Sequence, residues 1–257
     1  MTTLPNLAED CQNYPVVVGG IAVQLYSEDS PELLRETTDW DLIYPLRFDL
    51  FSDFEKKVIR SLRPDLTRIG YQTQGQRAGK NWAVKVMKGQ GRKAQEVFFV
   101  NFDYPIPRLE EKEAKIIERE IKNSVLFEVD GEQIFVKSLE DLIPRKIRRI
   151  DDRLGSLEPE QEGFLRSLLI EAERENWREL AKVPLLEWGS IIQTYQERLR
   201  QASERGEDLR SKPSAYIASK DLYDICLLSR AIESGKHPFN RTYYSSVKKE
   251  IEDLLKI

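Results

Sequence analysis

Residues 16–46, VVVGGIAVQLYSEDSPELLRETTDWDLIYPL, set two carboxylates, Asp39 and Asp41, into an apolar run of strand character. That combination restricts the fold more than any other feature of the chain. In a strand, residues i and i+2 face one side, so both acids project together while Trp40 and Leu42 point the other way. Two carboxylates a few ångströms apart repel each other and lose hydration unless a cation joins them. No cluster of basic residues lies in that strand. A divalent metal is the economical partner, and hard oxygen ligands suit Mg²⁺, which takes one or two carboxylates together with substrate phosphates.

A third acid stands in another apolar β-run. VFFVNFDYP supplies Asp103, with Asn101 on the same face two residues earlier. Three strand-borne carboxylates converging on a metal site suit two-metal phosphoryl or nucleotidyl transfer, in which the third acid can act as general base for an attacking hydroxyl. Gly19 and Gly20 follow a strand and precede a helix, which lets backbone N–H groups approach an anion near the helix N-terminus. Taken singly, a glycine pair is a tight turn, D-x-D is a surface pair and Asp103 is a strand-end residue. Their order within one α+β segment is what points to a site.

The pattern along the chain separates two parts. Strand and helix signals alternate through the first 138 residues. VVVGG reads as a buried strand closed by a glycine turn, IAVQLYSE as a short helix and DWDLIYPL as a strand. FSDFEKKVIRSLRPDL (51–66) has helical spacing with Ser52 as its N-cap. NWAVKVMKG and AQEVFFVNFDYP read as strands joined at Gly89-Gln90-Gly91, and VLFEVDGEQIFVKS as a hairpin turning at Asp130-Gly131. From Leu139 onward apolar residues recur at i, i+3, i+4 and i+7. The most linker-like stretch there is 203–214. The expected fold class is therefore α+β: a small mixed β-sheet flanked by helices (1–138), followed by a helical C-terminal domain (139–257).

Composition removes several function classes. The chain has 257 residues, 33% of them charged, with 40 basic and 44 acidic side chains finely mixed for a net charge of −4. That balance disfavours nucleic-acid binding by bulk charge. No run approaches the length of apolar sequence a membrane span requires. The N-terminal segment lacks the apolar core of a signal peptide, so a cytoplasmic location is expected. With two cysteines and one histidine, His237, a structural zinc site or a Ser-His-Asp or Cys-His centre is disfavoured. His237 reads as a surface residue in a turn. Carboxylates and a metal are the tools that remain.

Gly19-Gly20 followed by Arg35-x-Thr37-x-Asp39-Trp40-Asp41 resembles the nucleotidyltransferase superfamily of DNA polymerase β, and within it the AbiEii/MenT type of toxin-like nucleotidyltransferases. VKSLEDLIPRKIRRIDDR resembles that family's s-x-E-x-L-x-x-x-K helix, with Lys146 at the lysine and Arg153 seven residues on. SKDLYDICLL resembles its R-D-x-x-D-h element, with Lys220 where arginine is usual. The three blocks span residues 16 to 230 in order.

The resemblance implies a nucleotidyltransferase fold and a Mg²⁺-dependent transfer of a nucleoside monophosphate from an NTP such as ATP. The acceptor would be a tRNA 3′ end or a protein, in a toxin–antitoxin or defence setting that could include a cognate antitoxin. Gly19 and Gly20 would cradle the triphosphate, and Asp39, Asp41 and Asp103 would be the metal-site carboxylates. Lys146 would meet nucleotide phosphates. Asp221 or Asp224 would order the helical side of a nucleotide cleft, while Arg35 and Thr37 would support the aspartate strand. Asn101 competes with Asp103 for the third position. Arg148, Arg149 and Arg153 are candidate RNA-phosphate contacts. Two rival readings share the fold: a catalytically inactive nucleotide-sensing or partner-binding module, and a small-molecule nucleotidyltransferase of the antibiotic-modifying kind.

Overall fold

The computed structural model describes residues 16–35, 39–43, 71–74, 81–88, 95–103, 111–129, 131–154, 159–205 and 214–253. Contacts divide the chain into two units, one of residues 1–22 and 37–138 and the other of residues 23–36 and 139–257. The expected helix over 51–66 and the turn at Gly89–Gly91 lie outside the described residues.

The first unit carries the β-structure: β1 Val16–Val18, β2 Asp39–Ile43, β3 Tyr71–Gln74, β4 Asn81–Lys88, β5 Gln95–Asp103, β6 Val125–Val129 and β7 Glu132–Val136. They form one seven-stranded sheet in the order β3-β4-β5-β2-β1-β7-β6. The sheet is mixed, as expected. Strand β1 runs antiparallel to β2 and parallel to β7, and β2 runs parallel to β5. All three residues of β1 are buried, as an all-apolar central strand should be when both faces are covered. Helix α2 (Glu111–Lys122) contributes Ile117 and Ile121 to a cluster with Val16, Val18, Ile43 and Phe135. Between β6 and β7 the chain turns through Gly131 at φ +80°, the backbone state the Asp-Gly dipeptide was expected to supply.

One sequence boundary shifts. Strand β1 stops at Val18, and Gly19 and Gly20 are the first residues of helix α1 (Gly19–Tyr26) instead of the end of the strand. Val23 and Tyr26 of its later turns are buried.

The second unit holds a 3₁₀ turn (Pro31–Leu33) and six further helices: α3 Leu139–Leu154, α4 Pro159–Glu173, α5 Trp177–Ala181, α6 Leu185–Glu204, α7 Ser214–Ser234 and α8 Arg241–Asp253. Helix α7 is its axis. Residues 221–229 are buried without interruption, the signature of a helix covered on every side. Helices α3, α4, α5 and α6 all pack on it. Trp188 of α6 meets Tyr223 edge-on at 5.7 Å and donates from Nε1 to Ser219 Oγ at 2.6 Å. Tyr223 OH in turn donates to the Leu33 carbonyl at 2.7 Å, tying the 3₁₀ turn to the helical core. Trp177 is 1% exposed and lies edge-on to Tyr244. Both tryptophans are core anchors.

Candidate active site

Asp41 is positioned by the register of the antiparallel β1–β2 pair. It lies opposite Val18, so its carboxylate is directed at the residue that follows β1. That residue is Gly19, held at φ +65°. A Cβ built on Gly19 would stand 2.1 Å from Asp41 Oδ2 and 3.0 Å from Asp41 Cγ. The carboxylate therefore occupies space that only glycine leaves open, beside the first turn of α1. The first N–H groups of a helix have no intrahelical acceptor, and the helix dipole favours negative charge there.

Gly19→Ala meets two penalties at once. An L-residue in the left-handed region costs about 1–2 kcal/mol, and its methyl group would displace the Asp41 carboxylate. The expected result is a chain that still folds but has lost affinity for Mg²⁺ by about tenfold, a ligand-shell effect. Titration calorimetry with Mg²⁺, alongside circular dichroism, checks it. Unchanged metal affinity would separate Asp41 from any metal site.

The neighbouring strand answers part of the question about the third acid. Across the parallel β2–β5 pair, Asn101 is opposite Asp41, Phe99 is opposite Asp39, and Asp103 is opposite Ile43. Asp103 thus stands one same-face step, roughly 6.6 Å, further along β5 than Asn101. The side chains of Asp39 and Asp103 lie outside the described residues. Among the described residues no group of three or more His, Cys, Asp or Glu side chains converges to hold a metal. Asp41 nevertheless fits Mg²⁺ by its chemistry: a hard oxygen donor, in a cradle that a Cβ would fill.

The other candidate residues belong to the helical unit and form a buried charge network. Arg35 makes a fork-on-fork pair with Asp224, Nε to Oδ1 and Nη2 to Oδ2, each 2.8 Å. Lys146 of α3 donates from Nζ to Asp224 Oδ2 at 2.7 Å and to Asp221 Oδ1 at 3.3 Å. Arg149, one turn further along α3, pairs with both oxygens of Asp221. The side chains of Asp221 and Asp224 are 0% exposed and those of Arg35 and Lys146 nearly so. Burial by itself would raise the Asp224 pKa, but Arg35 and then Lys146 override it and hold the carboxyl well below its usual range. Asp221 behaves likewise, with Lys146 and Arg149 outweighing burial.

Lys220 lies beside this network. Burial, then the adjacent Arg35 charge, lower its pKa to about 8, against the raising influence of Asp221 and Asp224, with Lys146 a further lowering charge. The sign of the consequence follows. The unfolded chain binds this proton up to the ordinary lysine range, so between pH 8 and about 10.4 it holds more protons than the folded chain, and stability rises with pH. Urea unfolding across that window is expected to show Lys220→Met losing this rise, an effect on the order of 1–3 kcal/mol. Parallel profiles for the two proteins would contradict it.

Sequence reasoning treated Arg149 as a possible RNA-phosphate contact, whereas its guanidinium is engaged with Asp221. The signal was available: Lys146 and Arg149 on one helix, and Asp221 and Asp224 on another, share the i, i+3 spacing that puts each pair on one face. His237, expected at the surface, packs edge-on to Tyr26 at 5.0 Å and is half-buried, which lowers its pKa. Cys226 is fully buried, its thiol pushed up to about 12, so it is an inert core residue.

No protein family and no curated protein matches the chain by sequence. In structure it is similar to an antigenic nucleotidyltransferase-like protein from Paracoccidioides brasiliensis, with 15% identity and a TM-score of 0.36, over 74% of this chain and 83% of that one. Among the described residues no helix is long and apolar enough to cross a membrane.

Proposed function

We propose that the chain is a Mg²⁺-dependent nucleotidyltransferase, moving a nucleoside monophosphate from an NTP to an acceptor hydroxyl with release of pyrophosphate. The observation that carries this reading is the Asp41 carboxylate seated against Gly19 at the start of α1, with Asp39 two residues earlier on the same strand. Asp39 and Asp41 hold the metal, and the N–H groups at Gly19 and Gly20 face the triphosphate. Bound Mg²⁺ would neutralise charge on the phosphates and on the pyrophosphate leaving group. Asp103 takes the proton of the attacking hydroxyl, whose oxygen bonds to the α-phosphorus as the bond to pyrophosphate breaks. Lys146 already has two carboxylate partners, so a phosphate contact requires it to exchange one of them. Asp221 and Asp224 keep the charged frame in place. The acceptor is a tRNA 3′ end or a protein, in the toxin–antitoxin or defence setting that the sequence motifs suggest.

One observation favours a second reading, a catalytically inactive nucleotide-sensing or partner-binding module. An amide, Asn101, stands opposite Asp41 where a carboxylate would complete the site most directly. A single experiment separates the two. The protein is incubated with NTPs labelled at the α-phosphate, with total RNA and lysate protein as competing acceptors. Mg²⁺-dependent label on one acceptor, lost in Asp39→Ala, supports the enzyme. Mg²⁺-dependent NTP binding without transfer supports the module. Absence of binding defeats both.

A further inference from the structure

Strand β6 (Val125–Val129) ends the seven-stranded sheet. Its hydrogen-bonding phase follows from its neighbours. The Lys137 amide donates to the Val17 carbonyl at 2.9 Å, so the odd-numbered residues at this end of β7 turn their backbone groups toward β1. The even-numbered residues Glu132, Ile134 and Val136 therefore bond to β6, where they oppose Val129, Phe127 and Val125. That leaves the N–H and C=O of Leu126 and Glu128 directed away from the sheet, along its edge. Edge strands are commonly guarded by proline, lysine or a bulge. Residues 125–129 read VLFEV, and all five pair with β7 in an unbroken register. Glu128 is the single charge in the strand, and Leu126 is 45% exposed.

We propose that β6 is a self-association edge, on which a second copy of this chain adds its own β6 antiparallel about a two-fold axis at Phe127. In that register Leu126 of each copy meets Glu128 of the other as a hydrogen-bonded pair, which uses the outward backbone groups of both strands. Phe127 faces its own symmetry mate in the closer, non-hydrogen-bonded pairing, where an aromatic pair adds to the strand contact. Val125 and Val129, both half-buried, complete an apolar row with it on one face. Charge selects this register. An axis at Glu128, or a parallel pairing in register, would set the two Glu128 carboxylates side by side. An axis at Leu126 would call on the Ser124 amide, which already donates to the Ile121 carbonyl at 3.2 Å. The contact is isologous, so it closes on a dimer and joins two sheets into one continuous sheet. It lies wholly in the first unit and is independent of the transfer reaction.

Sedimentation velocity of the full chain over a range of concentrations tests it. Two five-residue edges bury less than the roughly 1,600 Å² of a standard interface. A weak dimer is therefore expected, with Kd on the order of 10 μM. Leu126→Glu sets like charges opposite each other on both sides of the axis and should raise Kd about tenfold. Leu126→Lys brings opposite charges together there and should associate at least as well as wild type. Adding Glu128→Lys to Leu126→Glu makes the facing charges opposite again and should restore association. Both positions are exposed, so circular dichroism and melting of these variants should match wild type. Amide hydrogen exchange reads the register directly. In dilute protein the Leu126 and Glu128 amides should exchange fast while that of Phe127 is protected, and both should slow as the dimer forms. A monomer at every concentration, or a dimer indifferent to Leu126→Glu, overturns the proposal. So does a dimer in which the Leu126 and Glu128 amides stay fast. Protection of those amides in the dilute monomer would show the edge covered within the chain and overturn it as well.

Discussion

Asp41→Asn is expected to remove Mg²⁺-dependent label transfer almost completely, by on the order of 10³-fold, while leaving the fold intact. The two side chains have nearly the same shape, so the amide fits the space beside Gly19 that a Cβ would otherwise occupy. What disappears is the charge. Metal binding by a hard cation depends on anionic oxygen donors, and a neutral amide at one of two carboxylate positions leaves too little charge to hold Mg²⁺ with a triphosphate. Stability should change little, because the substitution is nearly isosteric and Asp41 is only partly buried. The melting temperature of the apo form should hold. Transfer by Asp41→Asn at a tenth or more of the wild-type rate would remove Asp41 from the metal site. The register adds a finer comparison. If Asn101 marks the position nearest the metal, Asn101→Asp should tighten Mg²⁺ binding, whereas Asp103→Asn should reduce transfer only if Asp103 is the proton acceptor.

The parts of this architecture that sequence made readable are those written in local periodicity. Val16–Val18, the Asp130-Gly131 turn and the long apolar spacing of α7 each declare themselves within a few residues, because strand pleat and helix pitch repeat at short range. The D-x-D pair was legible for the same reason: i and i+2 share a face in any strand. What stayed hidden depends on distant residues meeting. Nothing near Arg35 announces that its guanidinium faces Asp224, 189 residues away. Segment 23–36 sits, in sequence, inside the strand-rich part, yet its contacts assign it to the helical unit. The order of strands was hidden too. Strand β5 lies beside β2 with two other strands intervening in sequence, and only that register shows Asn101, not Asp103, opposite Asp41. Gly19 falls between the two cases. A glycine was readable, but its positive φ and the carboxylate lying against it were not.

Asp224→Ala is the substitution with the largest expected effect on stability, about 3–5 kcal/mol. Asp224 is fully buried and accepts from Arg35 through both oxygens and from Lys146 through one. Its removal leaves two cations without water and without that carboxylate, which costs far more than the attraction between an exposed pair would. Arg35→Met should cost less, because Asp224 keeps Lys146 while the methionine stem fills part of the vacated volume. An Asp224→Ala, Arg35→Met double variant should fall well short of the sum of the two single effects, since it removes charge on both sides of the pair. Acidity provides an independent check. The folded Asp224 carboxyl titrates below its usual range, so its contribution is complete above about pH 4 and is lost as pH falls through the folded pKa. The deficit of Asp224→Ala in urea unfolding should therefore be constant from neutral pH to about pH 5 and shrink in stronger acid. A deficit below about 1 kcal/mol at neutral pH would mean that the network is no more than a solvated ion pair. Loss confined to residues 31–35 in hydrogen exchange would locate the effect in the 3₁₀ turn, which Tyr223 and Arg35 both tie to α7.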